Sequence, residues 1–598
     1  MFKPNNLKLS FLATSLVAAV VSATAHADIE SDVRNTIVNL NANYNSFQES
    51  RDYENFIQSR SKLLQRNASD NLRDVDVSAQ PVDENSVKID SFKFISEDDL
   101  SFSIINKLQA EADKFAGQQF NARKVAALKN NLNNILIRAG YVTSIVYITN
   151  EGFKDNTLTF NIKWGKVNQV RVSETQEDRD SFKNRAMLTT IPGFYKDVLR
   201  INTIDQIVDN LTTTNKDVRI DVAATLNKTG YSDIIVNTQR SAMPRFTIGL
   251  NNANSQDVTT LQFVMNYADL IGINDSWTLS YNKRLYRDWS DRHTDIVSLR
   301  YDQPLGNFNL SVNNQWTSYK NTVTTQAVTG DDLVYIAHAP QFKSDWKLSY
   351  VAFRDKTQIA NVFVGLAYKR AVTDIRFKEG NANILYTKRY AVDWRIGANY
   401  LNNALFGGRL FVEGYYTQGF GAFNGDYSAA PELQQYSKYA KFLSLYLNYN
   451  KNFFIGEQLF NTNTTVQGQY SLVKRLSGDY VTTFGDAYSV RGLRQDTISG
   501  DDGFLISTNF GPQFSIDNAF IRYVNPYLGL DYGLTRNKAY DDEKAESYRA
   551  ASVSIGVATG GNHWRASLNV AKPFAYKLVD DAKPAKNFQV YFNVSTSF

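Results

Sequence analysis

The 598-residue chain contains no cysteine, which excludes disulfides, thiolate metal ligands and a cysteine nucleophile. Its four histidines, His26, His293, His338 and His563, are scattered, and none stands at ligand spacing from another, so no metal site is expected. No segment beyond the first 27 residues approaches the ~18 consecutive apolar residues of a membrane helix. Neither a G-x-x-x-x-G-K-[ST] phosphate loop nor a G-x-S-x-G nucleophile turn occurs. Asp501 and Asp502 lack the ligand spacing and terminal Glu of a calcium loop, which leaves a polar turn. These absences argue against an enzyme and imply no cofactor. The formal charge of +5 falls to +3 if Lys3 and Lys8 are lost with a leader, and so mild a basicity gives no reason to expect a nucleic-acid partner.

What remains is 43% hydrophobic and 13% aromatic, and a membrane role for such a chain must come from strands. Lys3 and Lys8 precede the apolar run Phe11 to Val21 and Ala25-His26-Ala27, which predicts a signal peptide over 1–27. From 28 to 65 a thin apolar stripe (Ile29, Val33, Ile37, Leu40, Tyr44, Phe47, Phe56, Leu64) at spacings of three and four predicts a helix. Its polar remainder suits a wet cavity, as a pore plug, or a solvated terminus. Residues 66–86, rich in Asn, Ser and Asp with Pro81, read as a flexible linker.

Two modules of similar length follow, 87–165 and 166–241. The first reads as strand Val87 to Ile95, helices Leu100 to Phe115 and Asn121 to Ala139 with Gly140 as the stop, then strands Val142 to Ile148 and Thr157 to Trp164. In the second the same order is fainter: Val167 to Val172, helices near Asp180 to Leu188 and Thr203 to Thr213, then Val218 to Leu226 and Asp233 to Asn237. A βααββ unit buries one face of a three-stranded sheet under two helices and offers a sheet edge to an extended polypeptide. Such an edge is therefore expected within 87–240, with no individual binding residue marked by the sequence.

From 242 to 598 strand follows strand with alternating faces. Val392, Trp394, Ile396, Ala398 and Tyr400 oppose Asp393, Arg395, Gly397 and Asn399; Leu443, Leu445, Leu447 and Tyr449 oppose Ser444, Tyr446, Asn448 and Asn450. The last strand sets Phe588, Val590, Phe592, Val594 and Phe598 against Gln589, Tyr591, Asn593, Ser595 and Ser597. Sixteen such segments, from 245–252 to 589–598, predict a mainly β fold: a closed 16-stranded transmembrane barrel, apolar outside and polar inside. The first and last segments should pair. A barrel of this size has room for water, a helix or an unfolded chain.

Between two of these segments a long polar loop, about 474–503 and expected to fold inward, carries Val490-Arg491-Gly492-Leu493. Further on, Tyr527-Leu528-Gly529-Leu530-Asp531-Tyr532-Gly533 fixes a parity. If Leu528, Leu530 and Tyr532 face lipid, then Gly529, Asp531 and Gly533 face the lumen, with glycines clearing space around a carboxylate. Arg491 is its natural bidentate partner and would pin the loop. The alternative is an exposed Arg491 turn and an Asp531 that lines a wet pore. Glu413 and Asp393 on lumen-facing positions read as pore lining.

Taken together, the leader, plug helix, two modules, barrel, Val-Arg-Gly loop, Gly-x-Asp-x-Gly strand and terminal Phe resemble the TpsB transporters of two-partner secretion. Leu132 to Val146, with Arg138-Ala139-Gly140-Tyr141-Val142-Thr143-Ser144, resembles their first POTRA module, and Leu199 to Leu211 the helix opening of the second. The family pattern has an aromatic residue where this chain has Leu493. The resemblance implies a Gram-negative outer-membrane location with the POTRA modules in the periplasm. It implies capture of an unfolded TpsA-type exoprotein (an adhesin, cytolysin or contact-dependent inhibition toxin) and export through the barrel, with membrane lipids, periplasmic chaperones and the barrel-assembly machinery as further partners. Phe598, with Phe592 and Val594, would be the assembly signal. An outer-membrane insertase is a second reading, although its best-known examples carry three or more POTRA modules. A passive porin-like channel is a third, and it leaves the two modules without purpose.

Overall fold

The computed structural model describes residues 72–598, with short interruptions, together with Arg51, Glu54 and Asn55. The expected leader over 1–27 lies outside the described residues. Of the expected helix over 28–65 only Arg51, Glu54 and Asn55 are described, and all three are helical.

The first module pairs β1 (Ser91–Ser96), β2 (Ile145–Tyr147) and β3 (Thr157–Lys163) in the spatial order β1-β3-β2, with α1 (Ile104–Asp113) and α2 (Ala122–Arg138) on one face. Asn121 caps α2 by accepting a bond from the Lys124 N–H at 3.0 Å. Gly140, at φ 91°, ends it, and the Tyr141 N–H returns to the Leu136 carbonyl. Leu108, Leu128, Leu132, Leu136, Phe160 and Ile162 form the buried core. The strand expected over Val142 to Ile148 starts only at Ile145, because a turn at 141–144 places the Ser144 Oγ under the Gly165 N–H.

In the second module β4 (Lys166–Val172), β5 (Lys216–Ala224) and β6 (Tyr231–Arg240) take the order β4-β6-β5 beside α3 (Phe182–Leu188) and α4 (Ile201–Leu211). In each module the first strand is parallel to the third, and the second is antiparallel to it. The two modules are thus one topology used twice, and in each the middle strand is the one made last.

The segment expected to be a free linker is instead bound over its described part, 72–84 and 86. Asn131 on α2 grips Val75 twice, accepting from its N–H and donating to its carbonyl, each at 2.8 Å. Asn134 donates to the Arg73 carbonyl and the Asp74 carboxylate, Arg138 pairs with Asp74 at 2.7 Å, and Val77 is buried in the module core. Side-chain amides a turn apart can hold an extended backbone whatever its composition, so a polar sequence is no bar to order here.

Beyond lies a closed antiparallel barrel. Its spanning strands are β7 (Arg245–Asn251), β8 (Thr259–Ala268), β9 (Ser276–Leu285), β10 (Arg292–Leu305), β11 (Phe308–Gln326), β12 (Gln341–Arg354), β13 (Gln358–Phe377) and β14 (Asn383–Leu405), followed by β15 (Gly408–Gly419), β16 (Lys441–Ile455), β17 (Gln458–Ser471), β18 (Asp502–Pro512), β19 (Tyr523–Asn537), β20 (Glu546–Gly560), β21 (Trp564–Lys577) and β22 (Gln589–Ser597). The fold is mainly β with sixteen spanning strands, as expected. Several run past their alternating segments at the outer end. The pattern in β13 stops near Lys369 while the strand continues to Phe377, since beyond the bilayer neither face need be apolar. Leu443, Leu445, Leu528, Leu530, Ile555 and Val594 are exposed on the outer surface. Closure is made by β7 and β22 in the register Thr247↔Ser597 to Asn251↔Asn593, with reciprocal backbone bonds between Phe246 and Phe598.

Candidate functional site in the barrel lumen

The loop after β17 turns back into the barrel on a narrow neck, Thr482–Phe484 paired with Ile498–Gly500. Its hydrophobic inner side is made by Phe484, Val490, Leu493 and Ile498 against Leu505, Tyr548, Ala550 and Leu578. Leu493 is fully buried in this cluster.

Arg491 and Asp531 meet at the tip, both nearly inaccessible to solvent. The guanidinium places Nη2 2.5 Å from Asp531 Oδ1 and Nε 2.8 Å from Oδ2, and the Arg491 backbone N–H adds a third donor at 3.1 Å. Strand register completes the cradle: Ser507 and Ser552 lie directly opposite Asp531 on β18 and β20, and their hydroxyls donate to it at 2.7 and 2.8 Å. Five donors thus converge on one carboxylate. Nη1 of Arg491 donates to Asn509 at 2.7 Å.

Gly529 and Gly533 flank this pair for steric reasons. A Cβ on Gly529 would stand 2.5 Å from Arg491 Nη2, and one on Gly533 2.6 Å from Val490 Cγ2. Gly492, at φ 97°, turns the chain so that its N–H donates to the Tyr591 hydroxyl at 3.0 Å, on the lumen face of the last strand. Sequence reasoning missed Ser507, Asn509, Ser552 and Tyr591. Each stands at an inward parity position, but which of many such positions face Asp531 is set by register.

Glu413 and Asp393 are not brought together. Glu413 pairs with Lys347 at 2.7 Å, whereas Asp393 accepts from Tyr480 and lies 3.9 Å from Lys369. Among the described residues no group of three or more His, Asp or Glu could hold a metal ion. At the terminal strand, Phe598 and Val594 are exposed on the outer face, Phe592 is half-buried, and the Phe598 ring lies 5.9 Å from that of Phe246.

The N-terminal segment reaches the lumen at two described side chains. Glu54 is buried, and the Tyr446 hydroxyl of β16 donates to its Oε2 at 3.0 Å, while the Arg51 guanidinium stacks 4.2 Å above the Tyr488 ring of the loop.

Similar proteins share this architecture. The "Outer membrane transporter CdiB" of Dickeya dadantii (strain 3937) is 23% identical over 467 residues, 76% of this chain and 78% of that one. The "Hemolysin transporter protein ShlB" of Serratia marcescens is 22% identical over 498 residues, 80% and 81% of the two chains. The solved structure of CdiB from Escherichia coli superposes with a TM-score of 0.71 at 19% identity, covering 92% of this chain and 98% of that one. A POTRA domain of ShlB type matches residues 89–165, and the model of the haemolysin secretion/activation family ShlB/FhaC/HecB matches residues 230–559, more than half of the chain. Secretion transporters of this kind imply a secreted partner protein. The chain belongs to the ShlB/FhaC/HecB family: an outer-membrane transporter of two-partner secretion, its barrel in the membrane and its POTRA region in the periplasm.

Proposed function

We propose that residues 87–165 and 166–241 capture an unfolded exoprotein in the periplasm and feed it through the 242–598 barrel, with residues 28–65 plugging the lumen at rest. The observation that carries this reading is the inward loop, pinned by the Arg491–Asp531 pair inside a lumen that Glu54 also enters. The edge strands β4 and β5 offer a sheet edge on which an extended segment can add as a further strand, giving affinity with little demand on sequence, whereas at β2 the Val146 main chain is already taken by Asn133. The sequence carries no phosphate-loop motif, and folding of the cargo outside supplies the driving force in this scheme.

The cargo is an exoprotein of the adhesin, cytolysin or contact-dependent inhibition class, and Phe598 with Phe592 and Val594 forms the signal read by the barrel-assembly machinery. Chaperones deliver the chain and lipids solvate its outer belt. Co-expression with a large exoprotein bearing an N-terminal secretion domain tests the scheme. Wild type should release it to the medium, whereas Arg491→Ala and a chain lacking 87–240 should not. Secretion that persisted without both modules would overturn the capture step. Deletion of 28–65 should raise pore conductance, and an unchanged conductance would remove the plug.

A further inference from the structure

The inward loop is held at more than its tip. Just before the neck, Tyr480 reaches back to β14, three strands from β17, and its hydroxyl donates to Asp393, with both carboxylate oxygens at 2.7 Å. Asp393 is 1% exposed and Tyr480 9%. Lys369 on β13 stands 3.8 Å over the Tyr480 ring and 3.9 Å from Asp393, so one cation faces both members of the contact. Phe442 of β16 packs on the same ring at 5.9 Å. Gln469 of β17 ties the two limbs together from below, donating to the Tyr480 carbonyl at 2.7 Å and to the Asp501 carbonyl at 3.2 Å.

Asp393 and Asp531 lie on β14 and β19, with β15 to β18 between them. At the usual spacing of neighbouring strands those five steps cover roughly 24 Å of wall. Two side chains of one loop, Tyr480 and Arg491, therefore span that arc as a strut. The attachments are unequal. At the tip a guanidinium and a backbone N–H share a carboxylate that two serines also bind. At the other end the Asp393 carboxylate takes a neutral hydroxyl from the loop, with the Tyr480 ring and the buried Leu476 packed in one apolar cluster beside it.

We propose that the Tyr480–Asp393 contact is a second pin of the inward loop, weaker than Arg491–Asp531 and released before it, so that the first limb swings off the β14 wall and widens the lumen while the tip stays fixed. Tyr480 is then a positioning residue for the conduction path. This rests on reading the barrel as a protein-conducting pore. Its test needs no exoprotein, so either idea can fail alone.

Full-length protein in planar bilayers supplies the readout. Tyr480→Phe keeps the ring and removes the hydroxyl, and the time spent in larger-conductance states should rise several-fold. Asp393→Asn keeps an acceptor and should fall between wild type and Tyr480→Phe. The double variant should go no further than Tyr480→Phe alone. A heat-modifiable gel shift verifies that each barrel is folded. Wild-type conductance in a folded Tyr480→Phe barrel, or effects that simply add, would overturn the proposal. Because the chain has no cysteine, Tyr480→Cys with Asp393→Cys joined by a bis-methanethiosulfonate, each thiolate displacing a sulfinate to form a reducible disulfide, gives a second measurement. The cross-link should hold the small-conductance state until reductant is added, and reduction without effect would count against the pin.

Discussion

Arg491 reaches Asp531 through Nε, Nη2 and its own backbone N–H, an arrangement that depends on a planar fork and not only on a positive charge. Arg491→Lys keeps the charge but cannot reproduce it, and should secrete nearly as poorly as Arg491→Ala. In Arg491→Ala the carboxylate is left buried with its serines, a loss of about 3–5 kcal/mol for a desolvated pair. Urea unfolding of the refolded barrel should register the loss, and an unchanged midpoint would mean that the lumen solvates Asp531. The inward direction of Asp531 is legible in the sequence, because Leu528, Leu530 and Tyr532 alternate with it and β19 has no bulge to break the parity. Its neighbours are not legible. Ser507 and Ser552 become partners only once β18 and β20 are in register, and Tyr591 only once the sheet has curled shut.

Among the elements, α2 and the segment before β1 show a helix acting as a receptor for an extended chain. Asn131, Asn134 and Arg138 recur at helical spacing on one face and would pass for a solvated stripe. Composition records polarity, but not that an amide can pair with a backbone. Asn131→Ala leaves the Val75 N–H and carbonyl without these partners, a loss of roughly 1–3 kcal/mol. Hydrogen exchange at Val75 should quicken at least tenfold; unchanged protection would show that Val77 burial alone holds the segment. The Arg138 hydrogen bond holds the Asp74 carboxyl below its ordinary value of 3.8. A depressed carboxylate stabilises docking above the unfolded value and loses that contribution as pH falls through the folded one. Exchange across 72–76 should therefore accelerate below about pH 3.8, and Asp74→Asn should remove that step.

At the scale of the molecule, the second module is fastened to the barrel by the polar face of α4. Asn202 donates to the Arg354 carbonyl, Gln206 accepts from Arg354 Nη1, Asp209 pairs with Nη2 at 2.6 Å, and Asn210 donates to the Gly306 carbonyl. The opposite face, Ile204, Ile207 and Leu211, fills the module core. Sequence periodicity gives the apolar face of α4, but it cannot say that the polar face meets a turn 150 residues away, as Asn202 and Arg354 do at a separation of 152. Arg354→Ala should loosen the module without unfolding it, seen as a broader spin-label distance distribution between 166–241 and the barrel rim. A distribution as narrow as wild type would place the attachment in the remaining contacts.

The seam between β7 and β22 joins residues 350 positions apart, Thr247 and Ser597, and ends in the mutual backbone bonds of Phe246 and Phe598. Loop closure over such a span cannot begin until the final strand has been synthesised and delivered. Up to that moment β7 presents a bare strand edge, which any other extended chain could occupy. The order of manufacture therefore matters to this protein as much as its equilibrium geometry. A barrel that lost β22 would be an open sheet instead of a slightly smaller pore.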